Sequence, residues 1–225
     1  MHEVSAAILA PKDRSRLFQG SKYLSPFLGR PLISSVVDVA FSVANEAYVV
    51  ASCDDDANLF RESIPTLPGE PLGVFVDASG EGSELTMAET AFNRSNSSRT
   101  ILLPADAPFL SVEALATMAD LCKGRDAVVP RAPTGEMKPV PAVYATEVAA
   151  RAARDSRLEN ASEMSRVVEK LGRKMFLSSS VLAEFDKDLL TFFTVNSPLD
   201  LKKAEMIASG RLLRKAGERR GRLPG

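Results

Sequence analysis

The chain alternates short blocks that are apolar throughout with blocks whose apolar positions recur every three or four residues. Residues 4–10 (VSAAILA), 46–52 (EAYVVAS), 72–78 (LGVFVDA), 100–106 (TILLPAD) and 126–132 (DAVVPRA) are apolar runs of strand length, as expected for strands covered on both faces. Residues 31–44 (PLISSVVDVAFSVA) have helical spacing, with Pro31 suited to the first turn. Residues 54–63 (DDDANLFRES) read as a short helix begun by an Asp cap. A stiff loop holding Pro65, Pro68 and Pro71 follows. Residues 79–95 open as a Gly-rich turn and become a helix capped by Ser83. Residues 111–124 form a helix with Ser111 as cap and Gly124 as its stop. Residues 139–145 (PVPAVYA) read as a further strand with Pro139 at its start. Residues 162–172 form a capped helix ending at Gly172, and 189–196 (LLTFFTVN) a late strand. The last helix, 197–210, has the clearest start: Ser197 as cap, Pro198 at the first position and Asp200 three residues after the cap.

Strand and helix alternate to about residue 132, which predicts an α/β fold with a mostly parallel central sheet flanked by helices. The looser stretch 133–190 is expected to be a substrate-side insertion before the last strand returns to the sheet. At 225 residues, 45% hydrophobic and 25% charged, the chain can bury a sizeable core in one domain. The expected division is a domain over 1–210 and a basic C-terminal tail over 211–225, read as a solvated helix end and frayed terminus.

Composition removes several chemistries. The net charge of −1 gives no bulk field for nucleic acid. His2 is the one histidine, which excludes a Ser-His-Asp triad, a His-rich metal site and a histidine general base. Cys53 and Cys122 are far apart and form no CxxC. No apolar run approaches the about 18 residues of a membrane span, and the N-terminus lacks a signal-peptide layout. The expectation is a cytoplasmic protein that binds neither nucleic acid nor membrane.

Ligands of open α/β sheets bind beyond the carboxyl ends of the strands, so the residues after each strand are the candidates. Lys12, Arg14, Arg16 and Lys22 follow the first. Gly80-Glu81-Gly82 follows the third and opens a helix, where free backbone N–H groups would favour anions or polar base edges. Asp106 follows the fourth, and Asn196 the last. Cations beside a carboxylate point to a triphosphate with its magnesium, since Mg²⁺ takes few protein oxygens and shares phosphate oxygens. Singly, each has a structural reading. The loop cations could be solvated charges, Gly-Glu-Gly a simple turn, Asp106 a turn residue before Pro108, and Asn196 a partner for loop backbone. Met87, Phe92 and Met118 read as core, and Asp200 as part of a capping box.

In order along the chain, ILAPKDRSRLFQGSK, LGRPLISSVV, ILLPADAPFLSVEAL, DAVVPR with KPVPAVY, and FFTVNSPLDLKKAE resemble the segments of the molybdenum cofactor guanylyltransferase-like (MobA-like) nucleotidyltransferases over residues 5–206. The resemblance implies a Rossmann-like, GT-A-like nucleotidyltransferase fold. It also implies transfer of NMP, with GTP favoured as donor and CTP the other candidate, to a phosphorylated acceptor such as molybdopterin, with release of pyrophosphate. Carried over by position, Arg16 would hold the β- and γ-phosphates, Lys22 would neutralise charge near the α-phosphate, and Asp106 would hold Mg²⁺ with help from Asn196. Leu9, Ala10, Pro11, Lys12, Arg14, Gly80 and Gly82 would line the nucleotide. Lys138, Pro139, Tyr144 and Asn196 would lie on the acceptor side. The chain departs from the pattern at Pro11-Lys12, where the family has two glycines, at Leu17-Phe18 for Met-Gly, and at Thr194 for the first asparagine of the closing NxN. Adenosylcobinamide-phosphate and 2-phospholactate guanylyltransferases are similar in places and leave the acceptor open. A catalytically weak relative that binds a nucleotide or a partner is the reading of another class. A monomer or a homodimer fits either.

Overall fold

The computed structural model describes residues 3–12, 17–65 and 72–220, with side chains to residue 210. Pro68 and Pro71, in the stiff loop expected from sequence, lie outside the described residues, as do Arg14 and Arg16. The first half runs β1 (Val4–Ala10), a two-residue hairpin of β2 (Pro26–Phe27) and β3 (Arg30–Pro31), α1 (Leu32–Val43), β4 (Glu46–Ala51), α2 (Asp54–Ser63), β5 (Gly73–Val76), α3 (Glu84–Arg94) and β6 (Arg99–Pro104). The second half runs α4 (Val112–Leu121), β7 (Ala127–Pro130), β8 (Ala142–Ala145), α5 (Thr146–Leu158), α6 (Met164–Lys170), β9 (Lys174–Leu177), α7 (Ser179–Leu182) and α8 (Pro198–Arg220).

The main sheet has the order β5-β4-β1-β6-β8-β7-β9. All its pairings are parallel except those of β8, which runs antiparallel to both β6 and β7. Because side chains alternate across a strand, Ala6, Ile8 and Ala10 of β1 face one core layer and Ala7 and Leu9 the other. The first layer packs beneath α1, α2 and α4, and it holds Val36, Phe60 and Met118. The second packs beneath α3, α5 and α6, and it holds Met87, Phe92 and Val167. Met87, Phe92 and Met118 are therefore core residues, as expected. A third, smaller cluster seats Ala204 and Ala208 of α8 on Phe27 and Leu32.

Five readings of the sequence change. Residues 189–196 are not a strand. They form a short 3-10 turn, Leu190–Phe192, preceded by Leu189 with φ 51°, a left-handed backbone that interrupts an extended run. Their apolar side chains are instead used against other elements: Phe193 packs on Phe109 at 5.7 Å between ring centroids, and Val195 is buried beside α8. The sheet ends on β9, a four-residue strand whose side chains are only partly covered except for Leu177, so its pattern is weak. The supposed insertion contains a full helix, α5, built on Ala149, Ala152, Ala153 and Ser156. Caps also move: Cys53 and not an aspartate precedes α2, and Glu163 and not Ser162 precedes α6. Strand β8 begins only at Ala142, so Pro139 lies in the loop before it.

Candidate active site

The carboxyl ends of β1, β4, β5 and β6 open on one edge of the sheet. Antiparallel β8 brings its leading loop to that edge too, since Ala142 pairs with Leu102 near the end of β6. Loops after four strands and before a fifth therefore meet there.

At the centre stands an ion pair. Lys22 sits in a 3-10 turn, Lys22–Leu24, and its Nζ donates to Asp106 Oδ2 at 2.6 Å. The two side chains are only 10% and 13% exposed. The same ammonium lies 3.4 Å from Asn196 Oδ1. Both oxygens are held in place by the surrounding chain. The Val195 N–H donates to the Asp106 carbonyl at 2.9 Å, tying the 189–196 strap to the end of β6. Asn196 Nδ2 donates to Thr194 Oγ1 at 3.0 Å, which turns the amide oxygen toward Lys22. Thr194 thus has a structural role at a position where the sequence pattern shows only a departure. Behind them, Asp200 Oδ2 accepts from the Asn196 N–H at 3.1 Å and the Ser197 hydroxyl at 2.8 Å, and Ser197 Oγ accepts from the Asp200 N–H. This is the capping arrangement expected at the start of α8, and the Ser197 hydroxyl with the backbone donors holds the Asp200 carboxyl below the ordinary aspartate value.

On the β1 side, Leu9 and Ala10 are buried strand residues, Pro11 is half-buried and Lys12 is exposed. Pro11 offers no N–H, but its carbonyl accepts from the Tyr23 hydroxyl at 2.6 Å. The loop's first residue is thereby tied to the turn that carries Lys22. Sequence reading missed Tyr23; no motif marks it, and its aromatic ring is an ordinary core contributor.

The Gly80–Gly82 turn is organised by Asp77, a buried residue at the end of β5 that sequence reading also missed. Asp77 Oδ2 accepts from the Gly82 N–H at 2.8 Å, the Ser79 hydroxyl at 2.8 Å and the Thr86 hydroxyl at 2.9 Å. Its Oδ1 accepts from Thr90 Oγ1 at 3.2 Å. The Gly80 N–H donates to the Asp77 carbonyl, Glu81 N–H to Ser79 Oγ and Ser83 N–H to Thr86 Oγ1. The backbone donors of 80–83 are therefore spent inside the turn, a correction to the expectation that they stand free for a ligand. Gly82 has φ +64°, and a Cβ there would lie 3.1 Å from Ser52 Cβ, so the turn presses against the end of β4 and only glycine fits without a shift.

On the other side, Lys138 and Pro139 border a cleft of about 430 Å³ together with Glu84, Val140, Glu163 and Met164. Lys138 Nζ pairs with Glu136 at 2.9 Å. Glu84 reaches solvent from a concave wall, and its carboxyl is held above the ordinary glutamate value, first by burial and then by the nearby charges of Glu163 and Asp106. Tyr144, expected to face the acceptor, is instead fully buried in β8 and packs edge-on against Phe92. Its hydroxyl donates to the Pro139 carbonyl at 2.7 Å, so it acts on the cleft only through that loop.

The site is thus a cation held by a carboxylate and an amide oxygen at the carboxyl edge of a mostly parallel sheet. The sequence matches the family model of the MobA-like NTP transferase domain over residues 6–175. The chain belongs to this family, and it is an enzyme of the nucleotidyltransferase class. It is similar to a molybdenum cofactor guanylyltransferase of Desulfosudis oleivorans, 27% identical over 94% of this chain and 100% of the relative. It is also similar to a probable molybdenum cofactor guanylyltransferase of Methanosarcina mazei, 23% identical over 88% of each. Among solved structures, molybdopterin-guanine dinucleotide biosynthesis protein A of Archaeoglobus fulgidus superposes with a TM-score of 0.75, at 22% identity, over 92% of this chain and 99% of that one. A cytidylyltransferase acting on 2-C-methyl-D-erythritol 4-phosphate, from Thermus thermophilus, shares the fold at a TM-score of 0.61 and 20% identity, over 92% and 99% of the two chains.

Proposed function

We propose that this enzyme transfers a guanylyl group from GTP to the phosphate of a molybdopterin-type acceptor, in the biosynthesis of the molybdenum cofactor. The observation that carries the reading is the Lys22 ammonium bound to Asp106 and beside Asn196 at the strand edge, where a donor triphosphate would lie. The names of the relatives supply the guanylyl group and the acceptor. In the reaction the acceptor phosphate oxygen attacks the α-phosphorus, the α–β bridging bond breaks and pyrophosphate leaves with the electron pair. The protein contributes position and charge, with no covalent nucleophile.

Asp106 and Asn196 are the residues that would hold Mg²⁺. A carboxylate and an amide oxygen are the hard oxygen donors that Mg²⁺ takes, with its remaining ligands from phosphate and water. When bound, the ion would neutralise phosphate charge. Lys22, paired with Asp106, would turn toward the donor phosphate. On sequence position, Arg16 is assigned to the outer phosphates and Arg14 to the nucleotide. Leu9, Ala10, Gly80 and Gly82 would shape the nucleoside side without offering the turn's amides. Lys138 and Pro139 border the acceptor cleft. No helix among the described residues is long and apolar enough to cross a membrane, and the reading places the reaction in the cytoplasm.

The test is calorimetric titration of GTP, CTP and ATP, each with Mg²⁺, followed by pyrophosphate release with molybdopterin, adenosylcobinamide phosphate and 2-phospholactate as acceptors. GTP binding and turnover with molybdopterin support the reading. Turnover with another acceptor reassigns the substrate, and no nucleotide binding overturns it in favour of a partner-binding relative.

A further inference from the structure

Tyr23 joins the two ends of the loop that the proposed donor would enter. Its ring is 4% exposed and belongs to the core layer beneath α1, α2 and α4. It meets Phe60 of α2 edge-on, with centroids 6.1 Å apart and planes at 71°. The hydroxyl donates to the Pro11 carbonyl at 2.6 Å. Pro11 is the residue at which β1 gives way to the loop, and Lys22, next to Tyr23, is where the loop ends. The Lys22 ammonium also lies 5.2 Å from the Tyr23 ring centroid. One side chain therefore fixes the loop's entry by a hydrogen bond and its exit by a covalent neighbour. Proline has a locked φ and no N–H, so at this position the carbonyl is the backbone's one polar handle.

We propose that Tyr23 is a positioning residue for the donor nucleotide: its hydroxyl, by holding the Pro11 carbonyl, sets the mouth of the 11–22 loop and the place of Lys22. The inference rests on the reading that this loop receives the donor triphosphate.

Tyr23→Phe keeps the ring and its contact with Phe60 and removes only the hydroxyl. The Kd of GTP with Mg²⁺ should rise about five- to tenfold, the scale of one hydrogen bond. The KM for GTP should rise with it, while kcat at saturating GTP and the KM for the acceptor stay unchanged. A purely structural role would lower the melting temperature and leave the Kd and KM for GTP as they were, which would overturn the proposal. Tyr23→Leu, which also loses the ring, should add a clear loss of thermal stability to the same rise in Kd. An unchanged Kd in a folded Tyr23→Leu protein would equally overturn it. If the unmodified chain binds no nucleotide, the donor reading and this inference fall together. If it binds GTP and Tyr23→Phe binds equally well, the donor reading stands and the Tyr23 inference fails.

Discussion

The loops on the two sides of the site are tied down by the same device on different supports. On the proposed donor side a tyrosine hydroxyl, Tyr23, holds the carbonyl of Pro11; on the proposed acceptor side Tyr144 holds the carbonyl of Pro139. Tyr144 is embedded in β8, between β6 and β7, and is 0% exposed. Tyr23 stands in a short 3-10 turn and packs into the core layer against Phe60 of α2. Charge separates the sides as well. The donor side offers Lys12 and Lys22, whereas the acceptor cleft offers Glu84, Glu136 and Glu163 around Lys138. On the proposed reading, a phosphate would meet cations on the first side and, on the second, Lys138 among three carboxylates.

The comparison breaks most sharply at the residue the two sides share. Asp106→Asn keeps the side chain's shape but removes its charge, and kcat should fall by about two to three orders of magnitude, the scale of losing a main electrostatic contact. Retained turnover in a pyrophosphate-release assay would remove Asp106 from the reaction. Next comes Lys22→Met, which leaves a buried carboxylate without its cation. Stability should drop by about 3–5 kcal/mol in denaturant unfolding, because breaking one side of a buried pair strands the other. Tyr144→Phe should cost about 1 kcal/mol and raise the acceptor KM alone, the mirror of the donor effect expected at Tyr23. A rise in the GTP KM instead would mean the two tethers do not serve separate sides.

The smallest effect concerns Glu84. Its folded-state pKa is raised by burial and then by Glu163 and Asp106, so the folded chain binds its proton more tightly than the unfolded chain does. Ionising it therefore costs stability above the ordinary glutamate value. Glu84→Gln should raise the melting temperature at pH 7, and the gain should vanish in thermal melts run below about pH 4, where both states are protonated.

The sheet of the first half was legible in the sequence, and with it two members of the central cluster. Strands of the first half are apolar on both faces, so their runs are long and the loops after them are easily found; Lys22 and Asp106 emerge as candidates from that rule, whereas Asn196 is reached only through a strand over 189–196 that the fold does not contain, and the pairing of Lys22 with Asp106 is seen only in the structure. Strand β9 escapes it because KMFL sits at an edge with one face open. Residues 189–196 deceive it because their β-branched and aromatic side chains pack on Phe109 and α8 instead of a ladder. Tyr23 and Asp77 are invisible for another reason. Their roles lie in hydrogen bonds to backbone and hydroxyl groups, which spacing does not encode, although an Asp followed by Ser and two glycines after a strand is a usable signal for a turn closed by its own carboxylate.

The strand edge holding Lys22 and Asp106 is proposed as the donor-nucleotide site. Isothermal titration of GTP with Mg²⁺ into the unmodified chain and into Lys22→Met, under conditions where both are folded, decides it. GTP should bind the first and bind the second at least tenfold more weakly, the scale of one charge-assisted contact to phosphate. Equal affinity in both, or no binding in either, would contradict it.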